Sequence, residues 1–341
     1  MQNIYCIFTL FFTTLLTGIR YTDCVAENFL LGKEWLMMEY VLTTAALRKC
    51  YGSSTALQNV SIHIPKGAIY GFVGKNGAGK TTLIRLICGL QTPTSGEYTL
   101  FGRSFRDREF SKSRRRMGAI VETPAVYLNR TAEDNLKLQY RILGLPSFQN
   151  IPELLKLVGL ENTGKKKAAQ FSLGMRQRLG IAVALAGNPD FLVLDEPANG
   201  LDPQGIVEMR ELILKLNREQ GITVLISSHI LDELSRLATH YGFIDNGSIL
   251  REITADELET ACRKCLTVTV SHMQALCIVL DEKKLEYQVL SEHQAEIYGA
   301  IEITELVNAL AVRNCVLSSV QEKGEGLENY YLNLIGGKTN A

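Results

Sequence analysis

The chain has 341 residues, 46% of them hydrophobic, with 36 basic and 36 acidic side chains. That length supplies one large domain plus an appendage, with a substantial core. A net charge of zero gives no electrostatic footprint for nucleic acid, which calls for a basic excess. The short basic runs at 114–116 and 165–167 read as solvated loops. Eight scattered cysteines fit a reducing compartment better than disulfides. Cys262 and Cys265 form C-x-x-C, but no second pair or histidine cluster completes a zinc site, so they read as structural or surface thiols.

Residues 4–19, IYCIFTLFFTTLLTGI, are apolar and uncharged, yet short for a membrane span and without the basic segment of a signal peptide. Two readings stay open, a single anchoring helix or translated upstream sequence, and 1–37 is taken as a leader outside the mature fold. From Met38 the pattern divides into 38–251 and 252–341. Strands are expected at 39–44, 59–64 and 97–101 in a small antiparallel sheet. A parallel core sheet is expected from 68–73, 118–121, 191–194, 223–227 and 241–244. Residues 122–188 read as a mainly helical subdomain with breaks at Gly144, Pro146 and Gly164. Helices from Pro203 and Leu231 pack back on the sheet.

The run GFVGKNGAGKTTLIRL, 71–86, carries the strongest chemistry. Gly74, Gly79, Lys80 and Thr81 fit G-x-x-x-x-G-K-[ST] without mismatch, between an apolar strand and a helical pattern. Glycines let backbone N–H groups converge on a phosphate, and the helix N-terminus adds a favourable dipole. Lys80 is expected to reach the β- and γ-phosphates, and Thr81 to offer its hydroxyl to Mg²⁺. Further on, FLVLDEP is an apolar strand ending in two carboxylates. Asp195 suits the Mg²⁺ shell, and Glu196, pointing the other way, suits polarisation of an attacking water. The bland alternative is an acidic strand cap ahead of Pro197.

Between these motifs lies FSLGMRQRL, 171–179, followed by the helical pattern GIAVALAG. Together the three segments resemble the ATP-binding subunits of ABC transporters. The family signature LSGGQ is matched at Ser172 and Gly174, while Leu173 and Met175 depart from it as in the bacitracin and lantibiotic exporter branch. The resemblance covers 39–246 and, more weakly, the tail GLENYYLNLIGG, and such chains begin near Met38. It implies an α/β phosphate-loop fold with a parallel central sheet, a small antiparallel β subdomain, a helical subdomain and a C-terminal α+β appendage. It also implies ATP and Mg²⁺ as cofactors, with Mg²⁺ held by Thr81 and Asp195.

By the same resemblance, Tyr51 would stack on adenine, and Asn76, Gly77 and Thr82 would join the nucleotide-binding set. His229, after the strand ITVLISS, would sense the γ-phosphate. Asp202, in NGLD, would communicate across a dimer, and Ser172 and Gly174 would face ATP held by a second nucleotide-binding subunit. Glu122 stands where the family carries Gln, so its charge is expected to lean on Mg²⁺ or a nearby cation. The implied function is ATP hydrolysis that drives a separate membrane permease, for antimicrobial-peptide export or resistance, at the cytoplasmic face of the membrane. Nucleic acid is not an expected partner. A translation ATPase would carry two nucleotide domains, a chromosome ATPase would split its motifs around a coiled coil, and a kinase or GTPase would lack the signature.

Beyond 252 the order is strand 266–270, helix 273–285, strands 287–291 and 296–300, helix 303–313 and strand 316–321. That β-α-β-β-α-β order fits a ferredoxin-like unit. No catalytic constellation is visible there. A regulatory or dimer-stabilising role and a plain packing appendage both stay open.

Overall fold

The structure, a computed structural model, describes residues 39–262, 265–299, 301–323 and 327–336. The apolar leader lies outside them. Contacts separate Met1–Tyr40 from Val41–Ala341, and apart from the first residue of β1 every element described here lies in the second unit. The chain runs β1 (Tyr40–Tyr51), β2 (Ser54–Val60), β3 (His63–Pro65), β4 (Ile69–Val73), α1 (Lys80–Ile87), β5 (Ser95–Leu100), β6 (Arg103–Ser104), α2 (Phe110–Arg114) and β7 (Met117–Ile120). Helices α3 (Ala132–Ile142), α4 (Ile151–Leu157) and α5 (Leu173–Leu185) follow. Then come β8 (Phe191–Asp195), α6 (Pro203–Gln220), β9 (Thr223–Ser228), α7 (Leu231–Ser235), β10 (His240–Asp245), β11 (Ser248–Thr254) and α8 (Ala255–Ala261). The last part holds β12 (Cys265–Val270), α9 (Met273–Glu282), β13 (Glu286–Val289), β14 (Gln294–Tyr298), α10 (Ile303–Ala311), β15 (Leu317–Lys323) and α11 (Leu327–Gly336).

The central sheet has the order β11-β10-β4-β9-β8-β7. Strands β4, β8 and β9 are buried at every position, as strands covered on both faces must be, which is why they read as continuous apolar runs. All neighbours pair parallel except β11, which the sequence reading missed and which lies antiparallel against β10. The reversal is made at Asn246 and Gly247, both with positive φ (46° and 74°), the Asn-Gly pair that a tight hairpin demands.

The antiparallel sheet has the order β2-β1-β5-β6, with β3 also paired to β1. The strand expected at 59–64 is in fact split, because Asn59 turns to φ 51° and ends β2 after one more residue. This sheet closes a core in which Leu42, Leu47 and Leu57 meet Phe72 of β4 and Leu83 and Ile84 of α1. In the helical layer, Thr131 caps α3 by accepting from Asp134 N–H at 3.1 Å. Ser172 does the same for α5.

Strands β12–β15 form a separate antiparallel sheet, ordered β13-β14-β12-β15, over a small core of Val268, Val270, Leu276, Val279, Ile297 and Leu306. Flanking elements belong elsewhere: Leu258 of α8 and Leu327, Tyr330 and Tyr331 of α11 join the large core with Leu234 and Phe243. Among the described residues no helix is long and apolar enough to cross a membrane.

Candidate active site

Register brings the motifs to one edge. Val73 lies opposite Ser228, Asp195 opposite Ser227, and Ile120 opposite Leu194, so β4, β7, β8 and β9 all release their chains on the same side. The crevice beyond the carboxyl ends of such strands is the general ligand position of open α/β sheets.

The phosphate loop joins β4 to α1. Gly79, the residue before the helix, has φ 111° and no side-chain cap, so the first N–H groups of α1 are left for an external anion. No acidic residue occupies that first turn, where Thr81 and Thr82 sit half-buried. Gly74 is fixed by space, since a Cβ there would lie 2.7 Å from Ile244 O. Asn76 and Gly77 form the exposed rim. Lys80 is 5% exposed, and its Nζ donates to Gly74 O at 2.6 Å and Lys75 O at 3.2 Å. The same ammonium lies 3.2 Å from Glu196 Oε1.

The two carboxylates at the end of β8 are separated by a change of backbone and not by strand alternation, which corrects the expected geometry. Asp195 ends the strand, whereas Glu196 leaves it at φ 49°. Asp195 is buried; its Oδ1 accepts from Ser227 Oγ at 2.6 Å, while Oδ2 has no hydrogen-bond partner among the described residues. A buried carboxylate oxygen left that way is costly unless a cation completes it. Glu196 N–H donates to Ser227 O at 3.1 Å and to Ser227 Oγ at 3.0 Å. Its carboxylate then spans Lys80 on one side and His229 Nδ1, at 2.8 Å, on the other. Ser227 therefore orients both acids, and only the SSH run before His229 hinted at it.

The remaining candidates lie outside this cluster. Glu122 has φ 62° and pairs with Arg85 of α1, a cation the sequence reading did not name. Tyr51 is exposed, its hydroxyl donating to Gln91, with the Lys49 ammonium 5.1 Å from its ring centroid. Ser172 accepts from Met175 N–H at 3.2 Å, and Asp202 from Gly205 N–H at 3.1 Å, each capping the helix that follows. Leu173 is exposed and rests against Gly200, while Gly174 faces Leu201. None of these hydrogen bonds reaches Lys80 or Glu196. Lys80, Asp195, Glu196 and His229 are joined through hydrogen bonds and ion pairs, Asp195 by way of Ser227; among the described residues, those of Tyr51, Glu122, Ser172 and Asp202 run to other partners.

A phosphate loop before a helix, a buried acid on the adjacent strand and a Lys-Glu-His cluster define a nucleoside triphosphatase of the phosphate-loop class. Residues 57–199 match the ABC transporter family. A bacitracin transport ATP-binding protein of Bacillus licheniformis is 42% identical over 306 residues, 89% of this chain and 99% of that protein. A lantibiotic transport ATP-binding protein of Streptococcus pyogenes is 46% identical over 213 residues, 62% of this chain and 90% of that one. A dimeric ATP-binding cassette solved in a post-hydrolysis state with ADP and phosphate matches with TM-score 0.57 and 28% identity, covering 63% of this chain and 98% of that one. The chain belongs to the ATP-binding family of ABC transporters, and it is an ATP-binding ATPase.

Proposed function

We propose that this chain hydrolyses ATP to drive a separate membrane permease that removes, or confers resistance to, antimicrobial peptides of the bacitracin or lantibiotic kind. The observation that carries the reading is the 42% identity spanning 99% of a bacitracin transport ATP-binding protein. In this reading Lys80 and the N–H groups at the start of α1 hold the β- and γ-phosphates, and the exposed ring of Tyr51 stacks on adenine. Glu196 polarises the attacking water, held in place by Ser227 behind it and by His229 beside it, which meets the γ-phosphate. Mg²⁺ fits the unpartnered Oδ2 of Asp195. Thr81 would share it, and the ion would supply neutralising charge to the phosphates.

Ser172, Gly174 and Asp202 are assigned to the face of a second nucleotide-binding subunit, where the start of α5 meets the γ-phosphate of the partner's ATP. Such a dimer agrees with the dimeric assembly of the cassette it resembles. The permease would hold the pair at the cytoplasmic face of the membrane. The test is susceptibility: a strain without this gene and its neighbouring permease gene should become more sensitive to bacitracin or a lantibiotic. The wild-type pair should restore resistance and the Glu196→Gln pair should not. Unchanged susceptibility to both peptide classes would reject the cargo while leaving the ATPase intact.

A further inference from the structure

The phosphate loop is held from a second side by the tail. The peptide joining Gly74 to Lys75 turns its C=O to Lys80, whose Nζ donates to it at 2.6 Å. Its N–H faces the other way and donates to the hydroxyl of Tyr331 at 2.9 Å, across 256 residues of sequence. That one peptide is thus gripped at both ends of its dipole. Tyr331 is only 7% exposed, and its ring stacks on Phe243 with centroids 6.0 Å apart, so the hydroxyl has little freedom to leave. The hydroxyl's own proton points to Ile244 O at 3.5 Å, the carbonyl against which Gly74 is packed. Lys75 is tied to the same strand end, its Nζ 2.9 Å from Asp245 Oδ1.

We infer that Tyr331 is a positioning residue for the phosphate loop: it orients the Gly74–Lys75 peptide and, through that peptide's C=O, the place from which Lys80 meets a nucleotide. The inference rests on reading Lys80 as the phosphate-binding cation. Without an acceptor for its N–H, the peptide can rotate and withdraw its C=O from Lys80. The loop must then be ordered when nucleotide binds, and affinity falls by the cost of that ordering. Nucleotide binding in turn holds α11 in its seat, so the two ends of the protein are coupled through one hydroxyl.

Tyr330 supplies the control. It lies on the same helix and also packs on Phe243, with centroids 5.6 Å apart, but its buried hydroxyl has no hydrogen-bond partner among the described residues. Titration calorimetry of the full chain with magnesium ADP is the measurement. Tyr331→Phe is expected to weaken binding about fivefold, while Tyr330→Phe stays within about twofold of wild type. Both variants should unfold near the same temperature without nucleotide, since each keeps its ring. In a Lys75→Pro background, where position 75 has no N–H to donate, Tyr331→Phe should add no further loss. Wild-type affinity in Tyr331→Phe, a loss shared equally by Tyr330→Phe, or a loss that persists with Lys75→Pro would each overturn the inference. A failure of the underlying site looks different, because Lys80→Ala would then still bind magnesium ADP as tightly as wild type.

Discussion

Glu196 stands between Lys80 and His229. Glu196→Gln keeps the shape but loses the charge that polarises water, so ATP turnover should fall by about a hundredfold or more. Nucleotide affinity, which depends on Lys80 and the loop, should hold; wild-type turnover with the permease present would remove Glu196 from this role. Thiol chemistry offers a second residue-scale test. A hydrogen bond from Thr55 lowers the Cys50 pKa, whereas burial pushes Cys88 up to about 12. Thiolate is the reactive form, so iodoacetamide at neutral pH should alkylate Cys50 well before Cys88, read by peptide mass spectrometry. Faster labelling at Cys88 would show that α1 opens in solution. Lys80 and Asp195 were legible because their motifs are local runs. Ser227 and Arg85 were not, since each meets its acid only where distant segments come together, 32 residues away for Ser227 and 37 for Arg85.

Helix α5 begins with a cap, and the cap is also the proposed dimer face. Ser172→Ala with Gly174→Asp should cost about 1 kcal/mol from the lost cap. A Cβ at Gly174 would sit 3.7 Å from Leu201 Cδ2, an ordinary contact, so the aspartate can be accommodated. In a Glu196→Gln background the double variant should remain monomeric with ATP, because its carboxylate repels the partner's γ-phosphate. A normal ATP-induced dimer on gel filtration would dismiss the composite site. Strand β11 adds a pH effect through Glu252, which binds His63 Nδ1 at 3.0 Å and Tyr70 Oη at 2.7 Å. The hydrogen bond to Glu252 raises the His63 pKa. A base raised in the folded state stabilises fully below its unfolded value, about 6.5, and the gain is lost as pH rises through the folded value. The difference in melting temperature between wild type and His63→Gln should therefore be greatest below about pH 6.5 and shrink as pH rises through the raised folded value. A constant difference would discount the ion pair. The Asn246-Gly247 pair is a hairpin signal that the sequence reading did not take up, because the short polar-apolar mix of SILREIT gives no clear strand period.

For the whole molecule, the order of elements in 265–323 was visible because each strand and helix carries its own periodicity. The destination of α11 was not: Tyr330 and Tyr331 would suit any core, and their partner Phe243 lies in a strand of the other sheet. The small unit is thus an insertion between two elements, α8 and α11, that both pack on the nucleotide core. That arrangement predicts opposite outcomes for two deletions. Ending the chain at 323 removes Leu327, Tyr330 and Tyr331 from the core and uncovers Phe243. Three buried side chains at about 1.5–3 kcal/mol each come to roughly 5 kcal/mol, a fall in melting temperature on the order of 10 °C for a domain of this size. Replacing 265–323 with a Gly-Ser linker of about ten residues leaves those contacts in place. It exposes only the faces that the small unit covered, since that unit's core is its own. The excised protein should therefore melt within a few degrees of wild type and bind magnesium ADP, while the shorter truncation fails on both counts. If the internal excision is the more damaging, the small unit shares the stability of the nucleotide core, and α11 is not what anchors the tail.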